Sequence, residues 1–182
     1  YLDKITGKKS TPNYKIEIPE KFVNRARELM PNEKKYIGFS ITAGHPTRIK
    51  EISIQEIIKV ANHYSKDFVP TFFIEDKYVE TKQLLKTEIN NPFFPEENLE
   101  KEFKKPMMVT AMGALTEFNV SIDNGISHML SFSNSKNYIF FNKSSEKFRP
   151  SNNNSAIYDC EKTDKKIDKL TSEEIINFID KN

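Results

Sequence analysis

Three short segments hold the residues best suited to a phosphorylated ligand. The first is Thr42-Ala43-Gly44-His45-Pro46-Thr47-Arg48-Ile49-Lys50. Gly44 lets backbone come close to a ligand, Arg48 offers a planar fork of donors, and Lys50 offers a point charge. Arginine stands only at positions 25, 27, 48 and 149, so Arg48 is more informative than any one of the many lysines. The second segment is Asp123-Asn124-Gly125-Ile126-Ser127-His128. Placed at a strand-to-helix turn, it offers the free N–H groups of a helix start to an anion. Asp123 also suits an N-cap, and His128 fits either a ligand contact or a histidine with its own internal hydrogen bond. The third is Asn142-Lys143-Ser144-Ser145-Glu146-Lys147-Phe148-Arg149-Pro150, where Ser144 and the basic groups can face a phosphate. Solvated surface loops are the plainer reading of the first and third segments, and a capped helix start that of the second. None is a GxGxxG turn or a Walker loop.

Other reactive residue types carry less. His63 lies on a helical pattern beside Asn62 and reads as solvated, while Met107, Met108 and Met112 read as core filling. Glu96 and Glu97 follow a proline and read as caps of a turn. Cys160 has no base beside it, so it reads as inert. The 3 histidines have no zinc spacing, no DxD-type pair stands in a loop, and no metal is expected.

The elements that must position these segments follow from periodicity. Residues 1–18 read as a linker, and Pro19 opens a helix with Phe22, Val23, Ala26, Leu29 and Met30 on one face. Tyr36–Ile41 reads as a buried strand feeding the first segment. A helix from about Ser53 carries Ile54, Ile57, Ile58 and Ala61; Val69–Ile74 is a second strand and Tyr78–Ile89 a second helix of this unit. Phe93 and Phe94 suggest a short third strand, Asn98–Phe103 a helical turn, and Pro106–Phe118 a helix. Val120–Ile122 is a strand running into Asp123, with a helix from Gly125 to about Phe132. Tyr138–Phe141 and Ala156–Asp159 are further strands. The last helix starts at Thr171, with Glu174 completing a capping box. Alternating strands and helices from Tyr36 onward predict an α/β fold, a Rossmann-like parallel sheet with helices on both faces. The expected division is 1–35 as linker and connecting helix, and 36–182 as one ligand-binding domain. Ligands of such sheets bind outside the carboxyl ends of the strands, where all three segments fall.

Composition narrows the partners. The 28 basic and 26 acidic residues nearly balance, giving a formal charge of +2 without a dense basic stripe, so no nucleic-acid partner is expected. A single cysteine excludes an internal disulfide and a cysteine metal cluster. No apolar run approaches the length of a membrane span.

Together the segments resemble the C-terminal domain of glycosyltransferase family 9, the bacterial lipopolysaccharide heptosyltransferases. The resemblance covers about residues 19–182. It rests on Tyr36–Lys50, on Asp123-Asn124-Gly125-Ile126-Ser127-His128-Met129, and on Phe141-Asn142-Lys143-Ser144 followed by Phe148-Arg149-Pro150. Family members carry Asp, a hydroxyl residue, Gly, two variable residues and His in the second place, and Phe-Gly-Pro-Thr in the third. Here Asn124 replaces the hydroxyl residue and Asn142-Lys143 replaces Gly-Pro. Glu75 stands where many relatives have Gly after the second strand, and Ile52 where they have Trp.

The resemblance implies the C-terminal half of a GT-B glycosyltransferase, binding an ADP-activated heptose and transferring it with inversion to a lipopolysaccharide-core acceptor, without metal or other cofactor. Lys50 falls where the family has a lysine on the donor diphosphate, and so takes the catalytic role of stabilising the leaving group. Thr42, Gly44, Arg48, Asp123, Asn124, Gly125, His128 and Ser144 are the further donor-binding candidates. The lipid-linked acceptor and the catalytic base are expected on an N-terminal domain outside these 182 residues, leaving this chain an inactive half. A cytoplasmic location, with peripheral contact at the inner face of the membrane, goes with that reading. The alternatives are a non-catalytic nucleotide-binding module of the same fold, motivated by the replaced motif residues, and a nicotinamide-dependent dehydrogenase. The lack of GxGxxG weighs against the second.

Overall fold

A computed structural model describes Gly7 and residues 16–43, 51–150 and 154–182. Its centre is a five-stranded sheet, parallel throughout, in the order β2-β1-β3-β4-β5. The strands are β1 (Tyr36–Ser40), β2 (Val69–Phe72), β3 (Thr116–Ile122), β4 (Lys136–Phe141) and β5 (Ser155–Asp159). The helices are α1 (Glu20–Leu29), α2 (Ile54–Tyr64), α3 (Val79–Glu88), α4 (Pro106–Gly113), α5 (Gly125–Ser131) and α6 (Ser172–Lys181). The predicted α/β architecture, a parallel sheet covered on both faces, is therefore what the chain adopts.

Alternation along the strands sends side chains into two separate cores. On one face Phe39, Phe72, Val120, Tyr138 and Phe140 meet α2, α3 and α6 through Ile57, Ile58, Leu85, Ile175 and Ile179. On the other, Tyr36 and Phe73 meet α1 and α4 through Phe22, Ala26, Met30, Met108 and Met112. Helix α1 packs on α4, and α4 on α5. The segment up to residue 35 thus contributes Phe22, Ala26 and Met30 to the core, beyond linking it.

The chain runs from β1 outward to β2, then crosses back to lay β3 on the other side of β1. The strand order reverses between β1 and β3, so the connections leaving their carboxyl ends diverge to opposite faces and open a crevice. Thr42 leaves one of those ends and Asp123 the other.

Several boundaries differ from the sequence reading. Helix α4 ends at Gly113 instead of reaching Phe118, and β3 starts at Thr116 instead of Val120. Gly113 marks the close passage of α4 over α5, because a Cβ there would sit 2.7 Å from Leu130 Cδ2. Beyond it Phe118, Val120 and Ile122 alternate with Glu117, Asn119 and Ser121, a strand period. Phe93 makes only an isolated parallel bridge to Thr71 and no third strand. That bridge includes a bond from Phe93 N to Pro70 O; Pro70 is tolerated because β2 is an edge strand. A 3-10 turn spans Pro95–Asn98, earlier than the turn read at Asn98–Phe103. β2 ends at Phe72, before Ile74. The capping box of α6 is present as read, with Thr171 and Glu174 bonded reciprocally.

Candidate functional site

The site is built where β1 and β3 end. Ser40 is fully buried, and the chain continues through Ile41, Thr42 and Ala43. Opposite, Asn124 adopts extended backbone (φ −146°, ψ 175°) and caps α5, its Oδ1 accepting from Ser127 N at 2.9 Å. The same side chain's Nδ2 donates to Ser40 Oγ at 2.8 Å and to Thr42 O at 3.1 Å. One amide thus closes the helix start and joins it to the end of β1. A serine or threonine here can cap, but its single hydroxyl proton cannot serve two further acceptors. Asn124, read as a replaced phosphate contact, spends its donors and acceptor within the protein, and it rather than Asp123 is the N-cap. The Asp123 N–H bonds Phe140 O at 3.2 Å, which ties the turn to β4.

Gly125 is exposed, and a Cβ built on it would meet no atom within 4 Å. Neither packing nor backbone conformation requires glycine there; the space over the turn is open. His128 is exposed on α5. Gly44, Arg48 and Lys50 lie outside the described residues. Ser144 is half-buried and bonds within its own loop, its Oγ accepting from Glu146 N at 3.5 Å. That loop is fastened toward β5: Ser145 N donates to Asp159 Oδ2 at 3.0 Å, and Asn142 Oδ1 accepts from Ile167 N at 3.0 Å. The structure therefore brings Thr42 and Asn124 together directly, and holds Ser144 on the next strand's loop.

Sequence reasoning missed a cavity of about 540 Å³ beside Thr42, lined also by Glu51, Tyr78, Glu80, Thr81 and Asp168. It is of the size that takes a nucleoside. Its carboxylates come from the end of the first loop, the start of α3 and the 3-10 turn Ile167–Lys169, positions up to 117 apart in number, so no local motif signals them. Glu51 and Tyr78 also reach back to Ala43: Ala43 N donates to Glu51 Oε1 at 2.6 Å, and Tyr78 Oη donates to Ala43 O at 3.1 Å.

Shifted titrations lie elsewhere. Asp76, beyond the end of β2, is held below the usual carboxylate range by hydrogen bonds from Lys104 and Lys82. Nearby Glu96 is pushed up by burial. Burial raises the Cys160 thiol to about 11, as expected of a structural cysteine and not of a nucleophile. Among the described residues no group of three or more His, Cys, Asp or Glu is arranged to hold a metal ion, and no helix is long and apolar enough to cross a membrane.

No protein-family model matches this sequence, and no curated protein matches it. Solved structures do share its fold. A glycosyltransferase of family 9 from Veillonella parvula superposes with a TM-score of 0.83 at 14% identity, over 99% of this chain and 56% of that one. The E. coli ADP-heptose lipopolysaccharide heptosyltransferase II gives 0.75 at 12% identity, over 92% of this chain and 52% of its own. The E. coli heptosyltransferase WaaC with ADP gives 0.74 at 16%, over 99% and 53%. The chain spans about half the length of these proteins, and it has the fold of one half of these glycosyltransferases.

Proposed function

We propose that this chain is the donor-binding half of a two-domain inverting glycosyltransferase, taking an ADP-activated heptose and serving a lipopolysaccharide-core acceptor held by an N-terminal domain. The observation that carries the proposal is the likeness to family 9 glycosyltransferases over 99% of the chain, with the reversal of strand order falling at Thr42 and Asn124. The nucleoside occupies the cavity beside Thr42, where the carboxylates of Glu80 and Asp168 accept from ribose hydroxyls as acidic residues do in other doubly wound sheets. The diphosphate lies over the open turn at Gly125. Arg48 and Lys50 of the first segment supply its cationic partners, and His128 and Ser144 of the other two segments its further contacts.

In the transfer the acceptor hydroxyl attacks the anomeric carbon while the bond to the diphosphate breaks, and negative charge grows on the leaving group. Lys50 is the catalytic residue on this reading, because a fixed cation beside that charge lowers the barrier. With cations supplied by the protein, no metal is needed. The enzyme works in the cytoplasm, with peripheral contact at the inner membrane face through its lipid-linked acceptor.

Titration calorimetry with ADP in the presence of chelator tests this. Binding is expected without divalent metal, and Lys50→Ala should weaken it by about 1.5–3 kcal/mol, the worth of a hydrogen bond to a charged group. Equal affinity in the variant removes Lys50 from the site. Absence of ADP binding overturns the donor reading and favours a module of this fold that has lost its ligand.

A further inference from the structure

We propose that Glu51 and Tyr78 are positioning residues of the donor site, a reading that rests on the proposed function. Residues 42 and 43 leave β1 without a strand partner; three of their backbone groups are held by side chains instead. Thr42 O accepts from Asn124 Nδ2 at 3.1 Å, Ala43 N donates to Glu51 Oε1 at 2.6 Å, and Ala43 O accepts from Tyr78 Oη at 3.1 Å. The three clamping side chains come from three elements: the cap of α5, the residue before Ile52 on the way to α2, and the cap position of α3. Consecutive peptide groups pinned from three directions cannot turn about the chain axis without breaking a bond.

The arrangement is specific in its chemistry. The Glu51 carboxylate receives a short charge-assisted bond, and it joins the two residues that flank 44–50. Tyr78 is half-buried, and its ring packs against the aromatic core while its hydroxyl reaches 35 residues back along the chain. Both side chains line the cavity beside Thr42. By fixing Ala43 they fix the direction in which Thr42 and the cavity wall face the crevice. Binding sites lose affinity when such supports are removed even though the ligand never touches them.

The test compares the parent with Glu51→Ala, Glu51→Gln and Tyr78→Phe. Amide hydrogen exchange at Ala43 and ADP affinity are both measured, and the thermal midpoint serves as a control. Exchange at Ala43 should be protected in the parent and at least about tenfold faster in Glu51→Ala, with Glu51→Gln restoring most of the protection because its amide oxygen still accepts. ADP binding should weaken about five- to tenfold in Glu51→Ala and in Tyr78→Phe, with little change in thermal midpoint and substantial recovery in Glu51→Gln. Unchanged exchange at Ala43 in Glu51→Ala overturns the clamp. Faster exchange with unaltered ADP affinity overturns its role in the donor site. If the parent itself binds no ADP, the proposed function fails, and with it the role in donor binding; exchange at Ala43 then decides the clamp alone.

Discussion

The two faces of the sheet are made of different materials. The face under α2, α3 and α6 is aromatic and continuous. Phe39 stacks on Phe72 at 4.9 Å, and Phe72 on Phe94 at 5.5 Å. Tyr138, Phe140 and Tyr158 each meet Phe178 of α6 within 6.0 Å. The face under α4 and α5 presents Gly38, Ser40, Asn119, Ser121 and Asn137 from the three central strands, all in the buried interior. There hydrogen bonds replace ring contacts: Asn119 Oδ1 accepts from Thr116 Oγ1 at 3.0 Å, and Asn137 Nδ2 donates to Ser135 O at 3.0 Å.

The difference separates stability from placement. Apolar rings gain free energy by area and tolerate small shifts. Small residues and directional bonds allow close approach and fix it, and this face carries α5, whose capping residue bonds to the end of β1. The candidate site thus rests on the polar face, while the aromatic face supplies most of the apolar burial.

Mutations on each face should break this division differently. The largest loss is expected on the aromatic side: Phe140→Ala should cost about 3–5 kcal/mol in denaturant unfolding, as deletion of a fully buried ring does. A loss below about 1 kcal/mol would mean that this core is far looser than its packing suggests.

On the polar side the sensitive change is an addition. A Cβ on Gly38 would lie 2.0 Å from Asn119 Oδ1 and 2.9 Å from Phe73 Cε2. Gly38→Ala should therefore cost about 1–3 kcal/mol, the usual penalty of overpacking. Combining it with Asn119→Ala should lose less than the sum of the single losses, since the second change removes the clashing atom. Strict additivity would show that the two do not meet.

The smallest stability effect and the most selective functional one belong to Asn124. Asn124→Ala should lose about 0.5–2 kcal/mol, the worth of an N-cap. Asn124→Asp retains the acceptor for Ser127 N and so should lose less. It places an oxygen against Thr42 O, however, and ADP affinity should fall in both variants. Full ADP affinity in Asn124→Asp would show that the bridge from α5 to β1 is dispensable.

Much of this was legible locally. The strand at Tyr36, the helix start at Gly125 and the capping box at Thr171 and Glu174 all arise from residues within a few positions of one another. Segment 116–122 was harder. Leu115 and Phe118 continue the helical spacing of Met108 and Met112, and that disguises a strand period whose polar members, Asn119 and Ser121, are buried rather than exposed. Asn124 reads as a donor-binding candidate because its type and place are visible in the sequence. Its partners Ser40 and Thr42 lie 84 and 82 residues away and are not. Glu51 and Tyr78 carried no signal, because a glutamate after a basic loop and a tyrosine before a helix gain meaning only when both converge on Ala43.

Binding of a nucleotide diphosphate where β1 and β3 end is tested most directly by mapping amide chemical-shift changes as ADP is added to the isotopically labelled chain. The largest shifts should fall at Thr42, Ala43, Gly125 and Ile126 and around the cavity at Glu51, Glu80 and Thr81. The amino ends of the strands, at Lys35, Phe68 and Asn90, should stay still. Shifts concentrated at those amino ends, or no saturable shifts at all, would contradict it.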